Sequence, residues 1–415
     1  MGLERWNHAD LEARLCRALD VALQTVETFA VGGYANEASP SLGFGPEKPA
    51  AETAMLIYAA SHCGRPTIAS RIDQLANALS PCVRSERVCI DIALHPALAL
   101  KFAVPHVLLT RLGFADDVFD VFLKTCLTSE VRNGQDRPPS AVAEKNWILS
   151  LWNGASANGT SRPSVAESVL RWPLDILGGM REDAYAFTHL LMYCTDFGFR
   201  IRGLRGRRSG LVDQAASLLV RYLDVEDYDL AGEILLTWPL TGAAWSSSAA
   251  FAFRVLASVE DQAGILPCGN MNLKRLDQLQ GDERTRYALA TAYHTAYVMG
   301  FLCAASLRPG RMPPTRMGGT QHDRACLKRL LDHVRDDQGH WQPVFWSLTE
   351  TEQEMLVPFI LDMGIMQNCR RREYNAVSEI LDIAARNHLE ETALSRQAAG
   401  LLRRIGACST LFSLR

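Results

Sequence analysis

Residues 182–198 read EDAYAFTHLLMYCTDFG, and the fold follows from how this stretch is interpreted. Phe187, Leu190, Leu191 and Met192 supply an apolar helical face. Glu182, His189 and Asp196 recur every seven residues, with Tyr185 and Tyr193 four positions either side of His189, so on one helix all five project from roughly one side. Desolvating a carboxylate or an imidazole is costly unless it is paired, hydrogen-bonded or metal-bound. Such a stripe therefore faces water or lines a functional cavity. The structural alternative is a buried helix whose His and Asp satisfy neighbouring backbone groups.

A second stretch repeats the design. In Tyr287–Ser306, YALATAYHTAYVMGFLCAAS, His294 sits seven residues after Tyr287 and three before Tyr297, within an otherwise apolar helix. A lone histidine on such a helix is usually a satisfied core residue, but two His-centred helices in one chain point toward a shared site.

Working outward, helical spacing dominates and period-two strand alternation is hard to find, so the chain is expected to be all-α. Helices are expected over 8–30 with Asp10 as cap, then 51–63, 66–80, 86–94, 97–112, 115–128 and 141–152. Gly-, Pro- and Ser-rich loops are expected at 32–49, 133–140 and 153–163. The last of these divides an N-terminal helical region, 1–152, from a region of helical hairpins, 164–415, within what reads as one continuous unit. The hairpins pair 164–171 with 181–197, 209–223 with 228–237, 246–261 with 283–307, 322–336 with 349–366, and 371–387 with 391–405. Small residues at several helix starts would let inner helices converge, which suggests an α/α toroid or a toroid-like solenoid.

Tyr293-His294-Thr295, followed by Tyr297 and Gly300, resembles the Y-H-T-x-Y-x-x-x-G helix of protein prenyltransferase β subunits, which share an α/α toroid with the terpenoid cyclases. The resemblance implies that His294 is a zinc ligand on an inner helix. The family's Asp-x-Cys ligand pair has no counterpart here: neither Asp229 nor Asp261 is followed two residues later by cysteine. The acidic D-x-D-D cluster of the cyclases is also missing; Asp116, Asp117 and Asp120 give a partial likeness.

Composition narrows the function. The chain has 415 residues, 48% of them hydrophobic, with 43 basic and 46 acidic residues and a net charge of −3. Nothing there suggests a basic face for nucleic acid. No basic n-region with an apolar h-region opens the chain, no run of about 18 apolar residues predicts a membrane span, and the eleven cysteines lack CxxC spacing. These features read as reduced thiols in a cytoplasmic protein. The expectation is an enzyme, cyclase- or transferase-like and suited to specialised biosynthesis, acting on a hydrophobic or amphipathic small molecule or peptide in a central helical cavity. Its candidate catalytic residues are Asp183, Tyr185, His189, Asp196, Tyr293 and His294. His189, Asp196 and His294 are the candidate ligands of a divalent metal, zinc above all, used alongside or instead of acid/base chemistry. Two alternatives stand beside it. One is a glycosidase- or epimerase-like toroid enzyme with a shelf from Trp172, Trp238, Trp245, Trp341 and Trp346, and the other is a non-catalytic helical-repeat binding scaffold.

Overall fold

Helical periodicity becomes helix in segment after segment of the described residues, and among them there is no strand. The structure is a computed structural model describing residues 7–30, 47–128, 138–153, 168–200, 204, 207–269, 271–335 and 339–413. The first group of helices is α1 (His8–Ala30), α2 (Glu47–Ala60), α3 (Pro66–Val83), α4 (Glu86–Leu94), α5 (Ala99–Phe102), α6 (Val104–Arg111), α7 (Asp117–Thr128) and α8 (Pro139–Trp152). There follow α9 (Arg181–Thr195), α10 (Arg208–Asp224), α11 (Tyr228–Leu235), α12 (Thr237–Thr241), α13 (Ser247–Ala263), α14 (Leu273–Gln278) and α15 (Gly281–Ser306). The remainder is α16 (Arg324–Leu331), α17 (Trp341–Trp346), α18 (Glu350–Glu354), α19 (Val357–Arg371), α20 (Tyr374–Arg386) and α21 (Ala393–Ser413).

Departures from the expected helices have local causes. The span 97–112 breaks at Ala103, just before Pro105, and the span 349–366 breaks at Met355 and Leu356, just before Pro358. Proline lacks the N–H that a continuous helix would use and crowds the preceding turn. Residues 168–171, expected to be helical, form turns instead, and Trp172-Pro173 follows. The cap of α1 is Asn7, whose side chain accepts the N–H groups of Ala9 at 2.7 Å and Asp10 at 3.1 Å. Asp10 answers by accepting the Asn7 N–H at 2.9 Å. Most of the three expected loops, and residues 164–167 of the first expected hairpin, lie outside the described residues.

The organising element is α15. By length and composition it is the single helix among the described residues that is apolar enough to cross a membrane, yet 78% of its most apolar window is buried within the protein. It packs against α1, α2, α11 and α12. Two glycines set the distance of approach. A Cβ on Gly300 of α15 would lie 2.7 Å from the Ala18 Cβ of α1 and 2.9 Å from Leu56 Cδ1 of α2; one on Gly232 of α11 would lie 2.5 Å from Val298 Cγ1 of α15. Neither gap is one that real Cβ atoms occupy, so α1, α2 and α11 can seat this closely only because those side chains are missing. Arg14 reinforces the junction, running from α1 to Glu260 and Asp261 at the end of α13.

Farther along, α10, α19 and the start of α21 meet over a buried carboxyl, Asp362. It accepts the Ser217 hydroxyl at 2.6 Å and the Thr392 hydroxyl at 2.5 Å. Burial pushes it up to about 7, against the pull of those two hydroxyls.

Two stability measurements test this packing. Gly300→Ala should lower stability by about 1–3 kcal/mol by overpacking, although alanine is intrinsically the better helix former by about 1 kcal/mol. In urea unfolding Gly210→Ala, where a Cβ meets nothing within 4 Å, should be neutral or stabilising; equal effects at the two sites would contradict the close-approach account. Because Asp362 has a raised folded pKa, its stabilising contribution is complete below the unfolded value of about 3.9 and is lost as pH rises through about 7. Unfolding curves from pH 4 to 8 should therefore show a fall on the order of a few kcal/mol that is absent in Asp362→Asn.

Candidate functional site

The close seating of α2 and α11 on α15 brings carboxylates to both nitrogens of His294. From α2, Glu52 Oε2 lies 3.0 Å from His294 Nδ1. From α11, Asp229 Oδ1 lies 3.2 Å from His294 Nε2, and Glu233 Oε1 lies 3.7 Å from the same nitrogen. Asp229 and Glu233 are four residues apart on an eight-residue helix and so share one face. Asp227 starts that helix by accepting the Leu230 N–H at 3.3 Å, and Arg181 of α9 grips Asp227 at 2.8 and 3.0 Å.

Helix α9 closes the group from the other side. His189 Nε2 lies 3.6 Å from Glu233 Oε1, so both imidazoles converge on one buried oxygen. The Thr188 hydroxyl donates to Glu233 Oε2, and the Tyr185 hydroxyl donates to Asp229 Oδ2 at 2.5 Å. Tyr185, His189 and Tyr193 line one wall, with ring centroids 5.9 and 6.2 Å apart. Tyr193 stacks on Trp147 of α8 and donates to Glu144 at 3.2 Å. Glu233 forms the buried floor at 2% exposure, whereas the His189 side chain is 40% exposed at the mouth.

Electrostatics follow from this geometry. Burial alone would raise Glu233, but His189 and His294 outweigh it and hold the carboxyl far below the ordinary carboxylate range. Burial would lower His294, yet the charges of Glu52 and Asp229 and the hydrogen bonds it donates to Glu233 and Glu52 keep it protonated well above the usual imidazole range. Glu52 is lowered, burial being overcome by His294 and then by Lys48. Asp229 goes the other way: burial raises it, against the attraction of His294, and the Glu233 charge adds to the rise. Glu144 is likewise raised by burial. Four carboxylates thus surround two imidazoles, an excess of negative charge suited to a cation.

Ligand-capable atoms of Asp229, Glu233 and His294 all lie within 4.8 Å of one another. This set differs from the one expected, His189, Asp196 and His294. His294 is retained and His189 reaches the group through Glu233, but Asp196 is elsewhere. Helix α9 ends at Thr195, and Asp196 is its left-handed C-cap, with φ 51° and ψ 56°. Its Oδ1 accepts the Trp147 Nε1–H at 2.8 Å and the Tyr58 hydroxyl at 3.1 Å. These bonds hold a turn in which Phe197 (φ 50°) and Gly198 (φ 82°) are also left-handed. The seven-residue spacing from His189 therefore does not carry past the helix end. Asp183 is also structural, since its carboxylate accepts the Met180 N–H at 3.2 Å and caps α9, and Glu182 is exposed. Tyr293 is buried beside His294, and its hydroxyl helps hold Glu52 ionised. The expected tryptophan shelf is dispersed: Trp238 stacks on Trp245 within the core, Trp341 packs on Phe359, and Trp172 and Trp346 are exposed.

Three residues central to the group, Glu52, Asp229 and Glu233, were not among the candidates read from sequence. The Asp229-x-x-x-Glu233 spacing was the available signal, placing two acids on one face of a helix with Leu230, Ile234 and Leu235.

A family model described as a domain of unknown function (DUF6895) matches residues 15–304, a span that contains every residue of this group. No curated protein and no solved structure matches the chain.

Glu233→Gln removes the charge that both imidazoles share. Breaking a buried charge network of this kind costs about 3–5 kcal/mol, so urea unfolding of the variant should show a loss of that order, and Thr188→Val a smaller one of about 1 kcal/mol. Wild-type stability in Glu233→Gln would show that the two histidines do not depend on this carboxylate.

Proposed function

The chain belongs to the DUF6895 family, and we propose that it is an enzyme whose reaction centre is a divalent metal site, zinc in type, held by Asp229, Glu233 and His294. The observation that carries this reading is the arrangement around His294. Glu52 takes the Nδ1 side of the ring at 3.0 Å, while Nε2 is turned toward the two carboxylates of α11. A carboxylate behind a histidine, with other ligands before it, is the arrangement that fixes ring orientation and strengthens a metal-binding nitrogen. One His and two carboxylates make a three-residue set of the sort that leaves a position open for substrate or water.

Bound there, a zinc-type ion would polarise an oxygen of the substrate or activate water. The chain's own residues do the rest. His189, half-exposed and oriented by Glu233, stands at the mouth where it can accept or deliver a proton. Tyr185 holds Asp229, and Arg181 lies over the Tyr185 ring at 5.0 Å, fixing that wall. The partly exposed Tyr185 ring, with Tyr193 and Trp147 buried behind the same wall, offers aromatic surface to an amphipathic small molecule or peptide, and the reaction class is hydrolysis or group transfer.

Titration calorimetry of chelator-treated protein with zinc tests this reading. One equivalent should bind, and Asp229→Asn and His294→Gln should each weaken binding by about a hundredfold or more, with Glu52→Gln losing about 10–100-fold. His189→Ala should keep its affinity within a few-fold and lose turnover. Absence of zinc binding by the folded wild type, or binding indifferent to Asp229 and His294, would reject the metal centre.

A further inference from the structure

A separate pocket of about 530 Å³ opens where the segment after Trp172 meets α19 and α21. Its first wall lies just before α9 in sequence, and its α19 and α21 walls follow the segment that matches the family model. One wall, residues 174–179, has no helix or strand yet is tied by side chains at five backbone groups. Gln214 accepts the Leu174 N–H at 2.7 Å and Gln397 accepts the Ile176 N–H at 2.8 Å. Arg221 donates to the carbonyls of Ile176 at 2.8 Å and Gly179 at 2.7 Å, and Gln397 donates back to the Leu174 carbonyl at 2.5 Å. Side chains from α10 and α21 therefore hold the wall, and the pocket is formed before any ligand arrives.

Its lining divides into two chemistries. Leu174, Met366 and Leu401 give an apolar floor, and Arg370, Arg396 and Arg404 give a cationic rim against a single lining carboxylate, Asp175. Asp224 already pairs with Arg370, and Asp213 with Arg396. Arg404 has no carboxylate partner among the described residues. Its Nη1 lies 3.5 Å from the place a Gly400 Cβ would take, so the guanidinium leans over a position where the helix presents no side chain. Glycine inside a helix costs about 1 kcal/mol relative to alanine, and the backbone of no other element crowds Gly400. What its missing side chain provides is room in the pocket.

From these observations we infer that this pocket binds a small amphipathic anion, its apolar chain on the Leu174, Met366 and Leu401 floor and its carboxylate or phosphate head on Arg404, with Arg396 and Arg370 flanking. The guanidinium fork matches either head group in two parallel hydrogen bonds. The inference stands independently of the metal centre.

Calorimetric titration of the full chain with octanoate and octyl phosphate, and with octanol as the uncharged control, tests it. Both anions should bind saturably and compete for one site, with octanol at least about tenfold weaker. Arg404→Gln should weaken the anions about tenfold, the size of one lost charge-assisted hydrogen bond, and Gly400→Leu should block all three ligands by filling the pocket. Arg404 is exposed, and matching circular dichroism and melting temperature will confirm that both variants fold. Octanol binding as tightly as octanoate, no saturable binding of either anion, or unchanged binding in both variants would overturn the assignment.

Discussion

Everything at the candidate centre depends on how closely helices can approach α15. A cation-binding group needs carboxylates from different segments brought within a few ångströms of one imidazole, and long side chains alone cannot do that reproducibly. Gly300 lets α1 and α2 settle onto α15, and Gly232 lets α11 do so against Val298. The reach of Glu52, Asp229 and Glu233 to His294 follows from that seating. The surrounding helices are then free to be ordinary: their apolar faces fill a core extending from Leu11 to Ala398. Stability and site geometry are thus properties of the same contacts.

Concentrating so much charge in a poorly solvated place is unfavourable unless each group has a counterpart. Here the counterparts form a chain. Tyr185 donates to Asp229, Asp229 faces His294, His294 faces Glu52, and Glu52 is approached by Lys48 at 3.7 Å; Thr188 and His189 hold Glu233. The group is therefore an ion-pair network with a proton on His294, in which Asp229 Oδ1 faces His294 Nε2 at 3.2 Å but accepts no hydrogen bond. A divalent ion would take the place of that proton at Nε2 while leaving the Glu52 side of the ring unchanged, so the network keeps the ligands oriented in either condition. The opposed shifts of Glu233 and Asp229, one down and one up, arise because the first faces two imidazoles and the second only one.

Much of the fold could be read directly. Helices such as His8–Ala30 and Glu86–Leu94 fall on their expected residues because each is amphipathic and bounded by its own Gly, Pro or capping signal. The breaks at Ala103 and at Met355–Leu356 interrupt spans expected to be continuous, although Pro105 and Pro358 just beyond them were the available signal. Site residues on α9 and α15 were visible because a histidine on an apolar helix is conspicuous. Their partners were not. Asp229 and Glu233 lie on a short helix buried on every side, where two acids four apart look the same as two acids on a solvated face, and Glu52 sits beside Ala51 and Thr53 with no local sign of its role. Which carboxylate meets which histidine is decided by tertiary packing. Asp196 fails in the opposite way: its spacing is right, but Thr195 is the last helical residue and the chain turns left-handed immediately after it.

The central claim is that Asp229, Glu233 and His294 together form a cation site. Anomalous diffraction from crystals of the protein grown with zinc, recorded on both sides of the zinc absorption edge, addresses it without reference to any substrate. The account predicts one strong zinc peak bonded to His294 Nε2 and to oxygens of Asp229 and Glu233, with Glu52 still on Nδ1. Zinc found only at other residues, with His294 still clasped between its carboxylates, would contradict it.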